Sequence, residues 1–407
     1  MRLLHTSDWH LGKRLERFSR HEEQVAVLNE ISEVAERENI DVVVISGDLF
    51  DTFNPPAESL DLFYKTLKRL AKNGQRAVVA IAGNHDMPER IEAPDPLARE
   101  CGIVFSGFPD SEIVPFSLDQ GFSITKSEPG FIEITIPGKP LLRILMTPYA
   151  NEMRLKRGLQ AEDSEEELRQ LLGEHWKSVS ERHCDNRGVN IMLSHLLFMH
   201  EGSEIPEEPD DERPINHIGG AQAIYTSAIP DSIQYVALGH LHRKQTIDNK
   251  PCPVVYCGSP VSYSFSEAGQ KKYAILVEIE PGKASVITPI ELTAGRKLER
   301  KRFETISDAK TWLQANPGSL VELTLVSDTF LPGADRRRLN EIHQGIVAII
   351  PEIRTGNDVK TSPLENTSAI KGITELFTDY FKNRKGQEPD YTILQLFNEI
   401  NAQEEEG

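Results

Sequence analysis

Cysteine is scarce in this 407-residue chain: Cys101, Cys184, Cys252 and Cys257 are all there are, and no two stand in C-x-x-C spacing. That excludes a disulfide-stapled scaffold and a thiolate zinc module, and predicts buried, reduced thiols in a cytoplasmic protein. Long apolar runs are missing as well. Stretches such as Ile346 to Ile350 fall far short of the roughly 20 residues a membrane helix needs, so no membrane partner is expected. Met1 leads straight into Leu3-Leu4, without the basic and long apolar regions of a signal peptide. Positive charge is also in short supply, with 45 Lys and Arg against 63 Asp and Glu and a formal net charge of −18. A protein that holds a polyanion by bulk charge is therefore disfavoured; such a substrate would require local basic clusters or bound cations.

What is present is enough apolar material, 39% of residues, for a large core and two or three domains. Val42 to Ile45, Ala77 to Ile81, Leu141 to Met146, Val189 to Leu193, Tyr235 to Leu238 and Tyr273 to Ile279 read as strands covered on both faces. Between them, His21 to Asn39 and Leu60 to Leu70 carry apolar residues at helical spacing. The pattern is α/β, without an internal repeat. Two acidic stretches interrupt it: Glu162 to Glu167 opens a predicted surface helix, and Glu201 to Glu212 is a Pro-containing loop read as a solvated face or as support behind a ligand shell.

From about residue 286 the character changes. Val286 to Leu292, Ile306 to Ala315, Leu320 to Val326 and Asp335 to Ile349 read as strand, helix, strand, helix, a small domain over 286–355 rich in Arg and Lys. A polar linker, Thr355 to Ser368, precedes two amphipathic helices with stripes Ile370, Ile373, Phe377, Tyr380 and Ile393, Leu396, Phe397, Ile400. That pair, within 356–407, either folds back on its own domain or docks on a partner.

The chemistry gathers where strands end. Asp8 and His10, Asp48 with Asp51 close behind, Asn84-His85-Asp86, His195, and His240 with His242 each follow a predicted strand. In an open α/β sheet the ligand site lies beyond the carboxyl ends of the strands. Mixed imidazole and oxygen donors there suit a pair of borderline divalent cations such as Mn²⁺, Fe²⁺ or Zn²⁺ better than Ca²⁺. Singly each piece is weak, since Gly-Asp and Gly-Asn are also turn chemistry; jointly and in this order they are specific.

The order D-x-H, G-D, G-N-H-D, a later His and G-H-x-H over residues 8–242 resembles the binuclear metallophosphoesterase family, the calcineurin-like fold. More narrowly, Leu4-His5-Thr6-Ser7-Asp8-Trp9-His10, Gly47-Asp48-Leu49-Phe50-Asp51 and Tyr256-Cys257-Gly258-Ser259-Pro260 through Phe265 resemble the bacterial nuclease subunits that pair with an SMC-like ATPase of the SbcC type. The resemblance implies a four-layer α-β-β-α sandwich over 1–285, a capping domain over 286–355 and partner-binding helices over 356–407. It implies two divalent ions, Mn²⁺ foremost: one on Asp8, His10 and His242, the other on Asn84, His195 and His240, with Asp48 bridging. His85 is then the nonligand catalyst, with Asp51 or Asp86 orienting it unless these two only cap loops.

The implied activity is 3′ to 5′ exonucleolytic degradation of duplex DNA and endonucleolytic cutting of single strands and hairpins, in DNA repair and recombination. The expected assembly is a homodimer within a heterotetramer. Arg296, Lys297, Arg300, Lys301 and Arg302 are the expected DNA contacts. A phosphatase or small-molecule phosphodiesterase of the same fold is the alternative. A noncatalytic scaffold is a third reading, which the full set of donors argues against.

Overall fold

The structure, a computed structural model, describes residues 1–155, 164–203, 223–327 and 332–353, together with Thr378, Phe381, Pro389, Ile393 and Leu394. It divides into two units, Met1–Glu352 and Ile353–Gly407.

Two sheets form the first unit's centre. One has six strands in the order Val286–Leu292, Lys272–Glu278, Arg2–Thr6, Val42–Ile45, Ala77–Ile81, Ile103–Ser106, and its last four run parallel. The other has eight, with Val254–Tyr256, Tyr235–Leu238, Val189–Ser194 and Leu142–Thr147 as its parallel centre. The uninterrupted Val/Ile runs arise because alternate side chains serve two different cores. Val42 and Val44 pack between the sheets with Ile144, Ile191 and Ala237. Val43 and Ile45 instead meet Val27, Leu28 and Ile31 of the helix His21–Arg37, and Phe63 and Leu67 of the helix Ala57–Ala71. On the far side Leu145, Met192 and Val236 meet Leu168, Leu172 and Trp176 of the helix Ser164–His183. The result is four layers, α-β-β-α. Of the predicted acidic start, Glu167 is exposed and Glu166 half-buried, while the apolar stripe of that helix is a wall of the third core.

Two sequence readings after residue 285 change. Val286–Leu292 is the edge strand of the core sheet, antiparallel to Lys272–Glu278, and not the first strand of the small domain. The small sheet begins instead with Leu298–Phe303, whose charged alternation LERKRF hid a half-exposed strand, and continues with Leu320–Ser327 and Ile346–Ile353. Where one helix is predicted over Asp335 to Ile349, the helix Gly333–Ile342 stops and the β-branched run after Gly345 extends as strand. Ile306–Ala315 is helical as read.

All four cysteines are free; Cys252 and Cys257 are buried, and Cys101 and Cys184 half-buried. Among the described residues no helix is long and apolar enough to cross a membrane. Most of the acidic loop 201–212 and nearly all of the predicted C-terminal helical pair lie outside the described residues.

Candidate metal centre

The expected donors converge from loops that follow five parallel strands, three in one sheet and two in the other. Asp8, His10, Asp48, His195 and His240 are fully buried, His242 and His85 nearly so, and Asn84 half-buried. Asp8, His10 and Asp48 form one group and Asp48, His195 and His240 another, each with donor atoms within 4.8 Å of one another, so Asp48 is common to both. Its Oδ2 lies 3.4 Å from His10 Nε2 and 3.3 Å from His195 Nε2. His242 joins the first group with Nε2 3.0 Å from His10 Nε2, and Asn84 the second with Oδ1 2.8 Å from His195 Nε2.

Backbone conformation makes the convergence possible. Asp8, His10, Asp48 and His240 all have positive φ (53°, 42°, 49° and 105°), a region that costs a non-glycine residue about 1–3 kcal/mol and concentrates at functional sites. Close approach of the loops requires glycine. A Cβ on Gly83 would stand 2.1 Å from Asp48 Oδ1, and one on Gly239 would stand 1.9 Å from the Ser46 carbonyl.

The donor set fits cations. His195 Nδ1 lies 2.7 Å from the Ser46 carbonyl, so its proton sits there and Nε2 presents a lone pair. That lone pair faces the Asn84 carbonyl oxygen at 2.8 Å and the Asp48 carboxylate at 3.3 Å, so three electron-rich atoms converge on one point. Either a proton or a metal ion has to fill that position. Without metal it is a proton: burial opposes charge on His195, but Asp48 and Asp8 outweigh it and lift the imidazole to about 9. Burial lifts Asp8 to about 6. Asp48 moves the other way, because His195, His85 and His10 more than offset its burial and hold it below the carboxylate range.

Since His195 lies above its ordinary 6.5, its stabilising contribution is complete below that pH and is lost as pH rises through about 9. A divalent cation would displace that proton. The rise in melting temperature produced by Mn²⁺ is therefore expected to be larger at about pH 8.5 than at about pH 6.5. Equal rises at both would show that no proton is displaced.

His85 stands beside the two groups. Its backbone N–H donates to Asp48 Oδ1 at 2.9 Å, its ring meets that of His10 edge-on at 4.8 Å, and its Nδ1 lies 2.9 Å from the Asp51 carbonyl. Of the two predicted orienting residues, Asp51 meets His85 through its backbone carbonyl. Its carboxylate is 3.8 Å from His10 Nδ1 and 3.7 Å from Lys13 Nζ. The Asp86 carboxylate does not orient His85; it accepts from the amides of Gly83, Leu49 and Phe50 and ties two loops together. His85 also lines a cavity of about 570 Å³ that reaches Lys13, Arg14 and Arg300.

The basic cluster expected to meet DNA is largely neutralised. Arg296 pairs with Glu23 at 2.5 Å, Arg300 with Glu322 at 2.6 Å, Lys301 with Glu299 at 3.1 Å, and Arg302 with Glu352 at 2.7 Å. Lys297 alone of the five has no carboxylate partner among the described residues. Sequence reasoning missed Arg154, whose buried guanidinium donates to the carbonyls of Gly83 at 2.8 Å and Asp86 at 2.7 Å and so braces the loop carrying His85. Nothing in its local sequence marks it.

Residues 1–244 match the family described as calcineurin-like phosphoesterase. A Bacillus subtilis (strain 168) protein, named as the D-subunit of the nuclease SbcCD, is 35% identical over 415 aligned residues, spanning 100% of this chain and 99% of that protein. Proteins of the same name from Rhodobacter capsulatus and Escherichia coli K12 are 31% and 28% identical; the alignments span 71% and 83% of this chain and 69% and 81% of theirs.

Proposed function

This chain belongs to the calcineurin-like phosphoesterase family and is a phosphodiester hydrolase, and from that premise we propose that it is the nuclease subunit of an SbcCD-type complex, acting on DNA in the cytoplasm. The observation that carries the reading is the pair of donor groups sharing Asp48 at the ends of five strands. The full-length likeness to a protein named as the SbcCD nuclease's D-subunit supports nuclease over phosphatase. Asp8, His10, Asp48 and His242 would hold one divalent ion and Asp48, Asn84, His195 and His240 the other, with Mn²⁺ as the first candidate. When bound, the pair supplies an activated water and charge neutralisation at the scissile phosphate.

The remaining work falls to the chain's own groups. His85, with its Nδ1 proton on the Asp51 carbonyl, lines the cavity; as an imidazolium it carries a second proton, on Nε2, to give to the leaving oxygen or to stabilise its charge. Asp86 and Arg154 hold its loop in place. Lys13 and Arg14, on the same cavity, position phosphate oxygens. We assign the chain 3′ to 5′ exonuclease activity on duplex ends and endonuclease activity on single strands and hairpins. The small domain that begins at Leu298 acts as a cap, and the protein assembles as a homodimer within a heterotetramer.

In Mn²⁺, the chain is expected to cut a hairpin oligonucleotide; hydrolysis of an aryl phosphate ester alone would support the phosphatase instead. The apolar stripes after Ser368 are read as the docking surface for the SMC-like ATPase. Deleting residues 365–407 is expected to abolish complex formation while leaving metal-dependent cleavage of single strands, and retained binding of the ATPase would refute that assignment. With its basic cluster paired to carboxylates, the isolated chain is expected to bind duplex DNA weakly, with Kd about 10⁻⁴–10⁻⁶ M at physiological salt. Fluorescence anisotropy checks this; tight, salt-insensitive binding would contradict it.

A further inference from the structure

The segment from Gly258 to Lys272 has no part in the chemistry above, yet it closes on both histidines of the first donor group. Glu267 is only 3% exposed. Its Oε2 forms a very short ion pair with Lys272 Nζ and accepts from Ser259 Oγ at 3.3 Å. Its Oε1 accepts from the amides of Tyr263 and Ser264, at 2.9 and 3.2 Å, and lies 3.6 Å from His242 Nδ1. Lys272 Nζ donates in turn to the carbonyl of His242 at 3.1 Å, so one buried ion pair addresses both the ring and the backbone of the same residue. A few residues away, Tyr263 donates its hydroxyl proton to the Trp9 carbonyl. Gln24 donates to Tyr263 Oη at 3.1 Å and to the His10 carbonyl at 2.9 Å.

We propose that Glu267 is a positioning residue for His242: its carboxylate keeps the imidazole proton on Nδ1, so that Nε2, facing His10, is a lone-pair donor to the metal. A ligating imidazole is usually held by a carboxylate or carbonyl on its other nitrogen, which fixes tautomer and ring orientation. Lys272 keeps that carboxylate charged and anchors the backbone of His242, while Tyr263 and Gln24 brace the opposing His10. A capping role for Glu267 in the short turn Phe265–Glu267 explains the two amide bonds but neither the buried lysine nor the approach to His242.

The proposal rests on the two-metal reading of the site, and its test separates the two. Calorimetric titration of Mn²⁺ into the metal-free full chain is expected to show two ions bound. In Glu267→Gln one of them should bind about 10–100-fold more weakly and the other unchanged, and cleavage of a single-stranded oligonucleotide should recover as Mn²⁺ is raised by the same factor. Because Glu267→Gln strands a buried lysine, Glu267→Gln/Lys272→Met is the companion variant; it should melt near the parent and show the same selective loss. Parental affinity for both ions in a folded variant overturns the proposal. So does lost cleavage that no Mn²⁺ concentration restores, or failure of both variants to fold. A parent chain that binds no Mn²⁺ would instead overturn the metal-site reading itself.

Discussion

Replacing His85 by glutamine is expected to slow strand cleavage about 10²–10⁴-fold while Mn²⁺ binding is kept. The reason is positional. His85 is held on three sides, by its amide on Asp48, its Nδ1 at the Asp51 carbonyl and its ring against His10, and none of these makes it one of the seven proposed ligands. Glutamine preserves the backbone bond to Asp48 and the approximate reach of the side chain, so the ligand shell should persist. It cannot deliver a proton to a leaving oxygen. Single-turnover cleavage of a labelled hairpin, with calorimetric Mn²⁺ titration of the same sample, distinguishes the outcomes. An unaffected rate would remove His85 from the chemistry, and a parallel loss of metal would make it a ligand.

Asp48→Asn should have the larger effect, removing both bound ions together and with them all measurable cleavage. Asp48 is the one residue common to the two donor groups, and its Oδ2 stands between His10 and His195 at nearly equal distances. An amide keeps the bond from the His85 N–H but supplies no charge to hold cations. The change also acts on the metal-free chain. With Asp48 neutral, the main cause of the raised His195 pKa is gone and a proton trapped between His195 and Asn84 loses its counter-charge. Breaking a buried pair of this kind costs roughly 3–5 kcal/mol, so the metal-free variant should melt several degrees lower at about pH 7. A variant that still binds one ion with parental affinity would show that the two groups are independent.

Much of the site is legible in the chain itself. Asp8, His10, Asp48, Asn84, His195, His240 and His242 each follow a short apolar run by a few residues, and such runs end in loops at one edge of a parallel sheet. The same local logic fails for Leu298–Phe303, because a strand with one charged, exposed face has little apolar signal. It fails again at Ile346–Ile353, where a β-branched run is absorbed into the preceding helix. It also takes clustered Arg and Lys for available charge. The parallel register that sets Arg300 opposite Glu322 is invisible when 22 residues separate them, and so is the approach of Glu23 to Arg296.

The sequence by itself determined the α/β fold class and singled out the candidate metal donors, because both depend on alternation and on the few residues after each strand, and these are short-range patterns. Only the tertiary structure decided that Asp86 ties loops while Asp51 meets His85 through its carbonyl, and that Glu267 and Lys272 close behind His242. Those relations join groups from 3 to 37 residues apart. They are set by sheet order, register and left-handed backbone at the ligands, and so come into being only when the two sheets pack.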